Sequence, residues 1–142
     1  MKIAIGCDHA GYPLKVAVED KLLQEGHGII DVGTESTEPV DYPIYGKSVG
    51  NAVANGLADR GIVICGSGIG ISIAANKVNG VRCALCTSVE MAEMSRRHND
   101  ANVLAMGARM IEQDLAFEII DKWLTTDFEG GKHLRRINML DE

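Results

Sequence analysis

Short, almost unbroken apolar runs alternate with helix-spaced segments along this chain, and that alternation restricts the fold more than any other feature. Lys2-Ile3-Ala4-Ile5-Gly6, Ile29-Ile30-Asp31-Val32, Gly61-Ile62-Val63-Ile64, Val81-Arg82-Cys83-Ala84-Leu85 and Asn102-Val103-Leu104-Ala105-Met106 read as five strands. Their apolar residues follow one another instead of alternating with polar ones, the pattern of a parallel sheet covered on both faces by helices. Helical spacing runs from about Pro13 to Gln24, through Ile71, Ala74 and Ala75, from Ser88 (an N-cap) to Arg96, and from Gln113 to Leu124. Residues Ile44 to Leu57 also read as a helix, weakened by Gly46 and Gly50, while Gly33 to Pro43 reads as a loop and everything after Leu124 as a polar tail. The expectation is one α/β domain over residues 1–142, doubly wound, with the flavodoxin-like strand order 2-1-3-4-5.

Charge and cysteine content narrow the partners. The formal net charge is −6, which argues against nucleic acid or an anionic membrane surface, since both require an extended basic face. The first residues become charged too soon for a signal peptide, and no apolar run is long enough to span a bilayer, so a cytoplasmic location is expected. Cys7, Cys65, Cys83 and Cys86 are then expected as free thiols. Cys83 and Cys86 have CxxC spacing without a second pair, and read as apolar fillers of a strand rather than as zinc ligands.

In such a sheet ligands bind beyond the carboxyl ends of the strands, where strand order reverses. In order 2-1-3-4-5 that point lies between the first and third strands. The first ends at Gly6-Cys7-Asp8-His9, the third at Cys65-Gly66-Ser67-Gly68-Ile69-Gly70. Gly66, Gly68 and Gly70 permit positive φ and bring backbone N–H groups close to an anion, and the helix that follows adds its positive N-terminal end. Cys65, at the mouth of that helix, is a candidate base or nucleophile. The loop lacks the Lys-Ser/Thr of a phosphate-binding P-loop, since Ile71-Ser72 follows Gly70, and its G-x-G-x-G spacing differs from the dinucleotide fingerprint. It also lacks the arginine of a cysteine phosphatase loop.

Three polar constellations remain. Asp8-His9 can hold hydroxyls or a phosphate, or can be a capping aspartate beside a solvated histidine. Arg96-Arg97-His98-Asn99-Asp100 reads as the basic end of a helix. It enters the fifth strand at the amino edge of the sheet, the wrong edge for the crevice unless a neighbouring subunit supplies it. Gly130-Gly131-Lys132-His133-Leu134-Arg135-Arg136 is either a phosphate clamp or a solvated tail.

Together with Asp41-Tyr42-Pro43, these segments occur in the order seen in ribose-5-phosphate isomerase B, which the chain resembles over nearly its whole length. That family also contains galactose-6-phosphate isomerase subunits and allose-6-phosphate isomerases. The resemblance implies a three-layer α/β/α Rossmann-like fold, a homodimer or tetramer with active sites shared between subunits, and no metal or organic cofactor. It implies interconversion of ribose 5-phosphate and ribulose 5-phosphate through an enediolate, as in the pentose phosphate pathway. By the same resemblance Cys65 moves the proton between C1 and C2. Ser67 and the N–H groups of Gly66, Gly68, Ile69 and Gly70 face the enediolate. His98 opens the sugar ring, and Asp8 helps to hold the sugar. His9, Arg109, Lys132 and Arg136 bind phosphate, and Tyr42 and Asn99 contact substrate.

The chain departs from the family pattern at Ser67, where many relatives have threonine, and at Lys132, where arginine is common. At Ile71, one branch without the loop cysteine carries a glutamate base. Two other readings are an isomerase of a six-carbon sugar phosphate and a non-catalytic sugar-phosphate sensor.

Overall fold

The computed structural model describes residues 1–141. Five parallel strands form one sheet: β1 (Lys2–Cys7), β2 (Gly28–Gly33), β3 (Arg60–Cys65), β4 (Cys83–Leu85) and β5 (Val103–Gly107). Six helices accompany them: α1 (Tyr12–Gln24), α2 (Tyr42–Ala54), α3 (Ile69–Asn76), α4 (Val89–Asn99), α5 (Gln113–Thr125) and α6 (Lys132–Leu140).

Each central strand feeds two cores. Ile3, Ile5, Ile62, Ile64, Leu104 and Met106 face α1, α4 and α5, where Val18, Leu22, Ala92, Ile119, Ile120 and Trp123 meet them. The intervening Ala4, Val63, Cys65, Val103 and Ala105 face Val49 and Ala52 of α2 and Ile71 and Ala75 of α3. Because successive side chains point to opposite faces and both faces are covered, the strands are apolar throughout. The expected doubly wound, three-layer α/β architecture is what forms.

The sheet order is β2-β1-β3-β5-β4, so the last two strands stand exchanged relative to the 2-1-3-4-5 expectation. The reason is local. All five residues of β5 are buried, whereas β4 has three half-buried residues. Val81 and Arg82 do not join β4; the Arg82 N–H donates to Asn102 Oδ1 at 2.7 Å. The more apolar strand takes the interior and the short one the edge. The reversal between β1 and β3 is unaffected, with Cys7 opposite Ile64.

Two helices differ from the sequence reading. Gly46 and Gly50 do not interrupt α2 and let it approach α3: a Cβ on Gly46 would lie 2.9 Å from Ala74 Cβ, and one on Gly50 2.9 Å from Val78 Cγ2. The polar tail contains a helix, α6, of which only Ile137 is buried. The Ser88 cap is present, its hydroxyl oxygen accepting the Met91 N–H at 3.1 Å. No described helix is long and apolar enough to cross a membrane.

Candidate active site

The turn that leaves β3 is set by Gly68, which caps α3 at φ +80°. A Cβ there would lie 2.8 Å from the carbonyl carbon of Met106 and 2.9 Å from the Gly107 nitrogen. Only glycine meets both the left-handed backbone and the close approach to β5. This turn aims the Gly68 N–H at Cys65 Sγ, 3.2 Å away, and the Ile69 N–H at Ser67 Oγ, 3.1 Å away. The loop's donors therefore converge on its own sulfur and hydroxyl, at the positive end of α3.

The other groups of the carboxyl edge close around that turn. Ala108 and Arg109 N–H groups donate to the carbonyls of Cys65 and Gly66 at 2.8 and 3.0 Å, tying the end of β5 to the end of β3. The Arg109 side chain runs beside Gly66, its Nη1 3.4 Å from where a Cβ would stand. The Tyr42 ring lies against Gly70, whose Cβ would be 2.6 Å from Tyr42 Cζ. Across the crevice Asp8 is buried, with Oδ1 accepting the Gly11 N–H at 3.0 Å. His9 Nδ1 accepts the Val40 N–H at 3.1 Å. That bond leaves Nε2 as the proton-bearing nitrogen of the neutral ring, free to donate. Asp8, His9, Tyr42, Cys65 to Gly70 and Arg109 thus share one edge.

His98, Asn99, Lys132 and Arg136 do not join them. His98 and Asn99 end α4, just before β5 begins at Val103. They stand at the amino edge, separated from Cys65 by the length of a parallel strand, about 16 Å. Here the His98 and His133 rings stack, centroids 4.4 Å apart and 15° between planes. Glu129 bridges them, Oε1 3.9 Å from His98 Nε2 and Oε2 3.8 Å from His133 Nε2. Partial burial and the neighbouring His98 ring hold His133 below the usual histidine range, although Glu129 opposes the shift. Arg96, from the same basic segment, is structural: buried, it donates to the carbonyls of Thr126 and Ala101 and pairs with Asp100 at 2.7 Å. A cavity of about 390 Å³ also opens at this edge, lined in part by Asn76, Arg82 and Asn99.

His133 and Glu129 were not singled out by sequence reasoning. Their i, i+4 spacing is legible, but its meaning depended on α6, which the tail composition concealed. Among the described residues His98, Glu129 and His133 are also the one trio spaced to hold a metal ion. Their near-parallel rings do not direct both lone pairs at a common point, and Lys132 and Arg136 add positive charge beside them. The other thiols are chemically quiet: burial pushes Cys7 and Cys83 up to about 12 and Cys86 to about 11.

The family model for Ribose/Galactose Isomerase matches residues 3–140. The chain belongs to this family. Ribose-5-phosphate isomerase B of Escherichia coli is 49% identical over 139 residues, covering 98% of this chain and 93% of the relative. Among solved structures, ribose-5-phosphate isomerase B of Clostridium thermocellum superposes with a TM-score of 0.99 at 55% identity, covering 99% of this chain and 95% of that one. The Mycoplasma genitalium ribose-5-phosphate isomerase B, solved with bound ribulose 5-phosphate, gives a TM-score of 0.95 at 37% identity, covering 99% and 93%. Both solved structures share this chain's fold over nearly its whole length.

Proposed function

We propose that the chain is an aldose–ketose isomerase interconverting ribose 5-phosphate and ribulose 5-phosphate. The observation that carries the chemistry is the Cys65 sulfur held at the end of β3, with the Gly68 N–H aimed at it and the positive end of α3 beneath. Cys65 removes the proton from C2 of the open-chain aldehyde and returns it to C1 of the enediolate, while the O2 hydroxyl proton passes to O1, so that the C1 aldehyde becomes an alcohol and C2 the ketone. The oxygen that becomes negative meets the Ser67 hydroxyl and the N–H groups of Gly66 and Gly70, while the Gly68 and Ile69 N–H groups hold Cys65 and Ser67 in place. The hydrogen leaves and returns as a proton, so the reaction as written requires no electron acceptor.

His9 and Arg109 hold the phosphate from the carboxyl edge, and Asp8 and Tyr42 hold the sugar. Lys132 and Arg136 complete the phosphate grip, His98 opens the furanose ring, and Asn99 contacts substrate. Since these four belong to the opposite edge of the sheet, they reach the crevice from a second copy of the chain. The working unit is therefore a homodimer, alone or paired into a tetramer. All four cysteines are free, which suits a reducing cytoplasm.

Cys65→Ala is expected to abolish both isomerisation and solvent deuterium exchange into the substrate C–H, a loss of at least about 10³-fold, while phosphate-dependent binding persists. Exchange that survives the substitution removes Cys65 as the base. Binding of sugar phosphate by the unsubstituted protein without any exchange would make the chain a sensor. A larger kcat/KM for allose 6-phosphate or galactose 6-phosphate than for ribose 5-phosphate would reassign the substrate to the six-carbon class.

A further inference from the structure

We infer that His133 is a positioning residue for His98, presenting a flat face that fixes the plane of the His98 ring, with Glu129 setting the edge of both rings. The inference rests on the reading of His98 as the group that opens the sugar ring. His98 stands at the last turn of α4 with 43% of its side chain exposed, whereas His133 is 14% exposed. An imidazole so exposed would sample several rotamers, and stacking on a less mobile ring removes that freedom. The platform is itself anchored. The Glu129 N–H donates to the Arg97 carbonyl at 3.1 Å, the His133 N–H donates to the Gly130 carbonyl at 3.1 Å, and Glu129 stands one turn before His133. The segment that carries the platform is thereby fastened to the last turn of the helix that carries His98.

Orientation matters for this step more than for the others. In ring opening the bond between C1 and the ring oxygen breaks and the C1 carbonyl forms. One proton leaves the C1 hydroxyl and one reaches the ring oxygen, so the imidazole ends in the state in which it began. The lone pair that accepts and the N–H that donates both lie in the ring plane, so the plane must contain the reacting oxygens. The charges beside the pair are Glu129 and, on α6, Lys132 and Arg136, with Arg97 on α4 turned to Glu93 at 3.6 Å. His133 supplies the flat face against which His98 works.

Ribulose 5-phosphate cannot form a furanose, because its C5 oxygen is esterified, so the two directions of the reaction separate ring opening from proton transfer at carbon. His133→Ala is expected to lower kcat/KM for ribose 5-phosphate by about tenfold or more. Solvent deuterium exchange into C1 of ribulose 5-phosphate should stay within about twofold of the unsubstituted protein. His133→Phe, which keeps the stacking face and removes the nitrogens, should recover most of the loss. Equal losses in both assays, no loss, or no recovery with Phe overturns the positioning role. His98→Ala run alongside separates the failures. A uniform loss there overturns the ring-opening reading itself. A selective loss in His98→Ala without one in His133→Ala overturns this inference alone.

Discussion

At the scale of single residues, the chemistry depends on backbone positions as much as on side chains. Gly68 bends the loop so that an N–H meets Cys65 Sγ, and its missing Cβ leaves room for the backbone of β5. Gly68→Ala combines a left-handed strain with a backbone collision and is expected to cost about 2–4 kcal/mol, read by urea unfolding, with activity falling further than stability explains. A buried charge cluster lies between α1 and β2, beside Cys7. Lys15, fully buried, donates to both oxygens of Asp31 at 2.6 and 2.7 Å. Burial, then a hydrogen bond to Asp31, pushes Glu19 up to about 8, and Glu19 Oε1 is buried without a hydrogen-bond partner, 4.0 Å from Lys15 Nζ. The unfolded chain ionises Glu19 near its ordinary value of 4.5 while the folded chain keeps it protonated. Its contribution to stability is therefore complete below that value and is lost as pH rises through about 8. Glu19→Gln should be more stable than the unsubstituted protein by an amount that grows across that interval and then levels off. A pH-independent difference in unfolding free energy would contradict this.

At the scale of elements, α2 and α3 pack closely on one face of the sheet and begin beside the site. Gly46 and Gly50 were legible as helix weakeners, yet the helix persists because these glycines bring it against Ala74 and Val78. A helix interior loses about 1 kcal/mol per glycine relative to alanine, an amount that the apolar contact of the two helices exceeds. Gly46→Ala should raise intrinsic helicity but force a Cβ to within 2.9 Å of both Ala74 Cβ and the Ile71 carbonyl. We expect a net destabilisation of about 1–3 kcal/mol and impaired catalysis, because α2 begins at Tyr42 and α3 at the cysteine loop. Thermal unfolding and kcat of the purified variant check both. The tail illustrates the reverse case: Leu134, Ile137 and Leu140 of α6 stand at helical spacing, although only Ile137 is buried within the chain. Its Lys132, His133 and Arg136 read as a basic cluster long before their helix can be seen.

At the scale of the whole molecule, the candidate residues fall into two groups at opposite edges of one sheet. Asp8, His9, Tyr42, the cysteine loop and Arg109 lie at the carboxyl edge, and His98, Asn99, Lys132 and Arg136 at the amino edge. A shared site makes a definite prediction for mixed oligomers. Cys65→Ala and His98→Ala proteins, each inactive alone, should regain up to about a quarter of full activity when unfolded together and reassembled at equal amounts. One of the two sites in each heterodimer then carries both intact groups, and statistical pairing makes heterodimers half of the population. Activity in the mixture no greater than the sum of the separate variants would place each site within a single chain.

The sequence by itself determined the layered α/β class, because strands buried on both faces must be apolar at every position. It also determined where the crevice lies, because the ends of the first and third strands flank the reversal whichever way the last two strands are arranged. Which of those strands takes the interior was decided only by tertiary packing, where five buried residues of β5 outweigh three half-buried ones of β4. The same holds for the closeness of α2 to α3 and the stacking of His133 on His98. Each depends on which surfaces meet across space, and local residue patterns do not record the distance between segments brought together by folding.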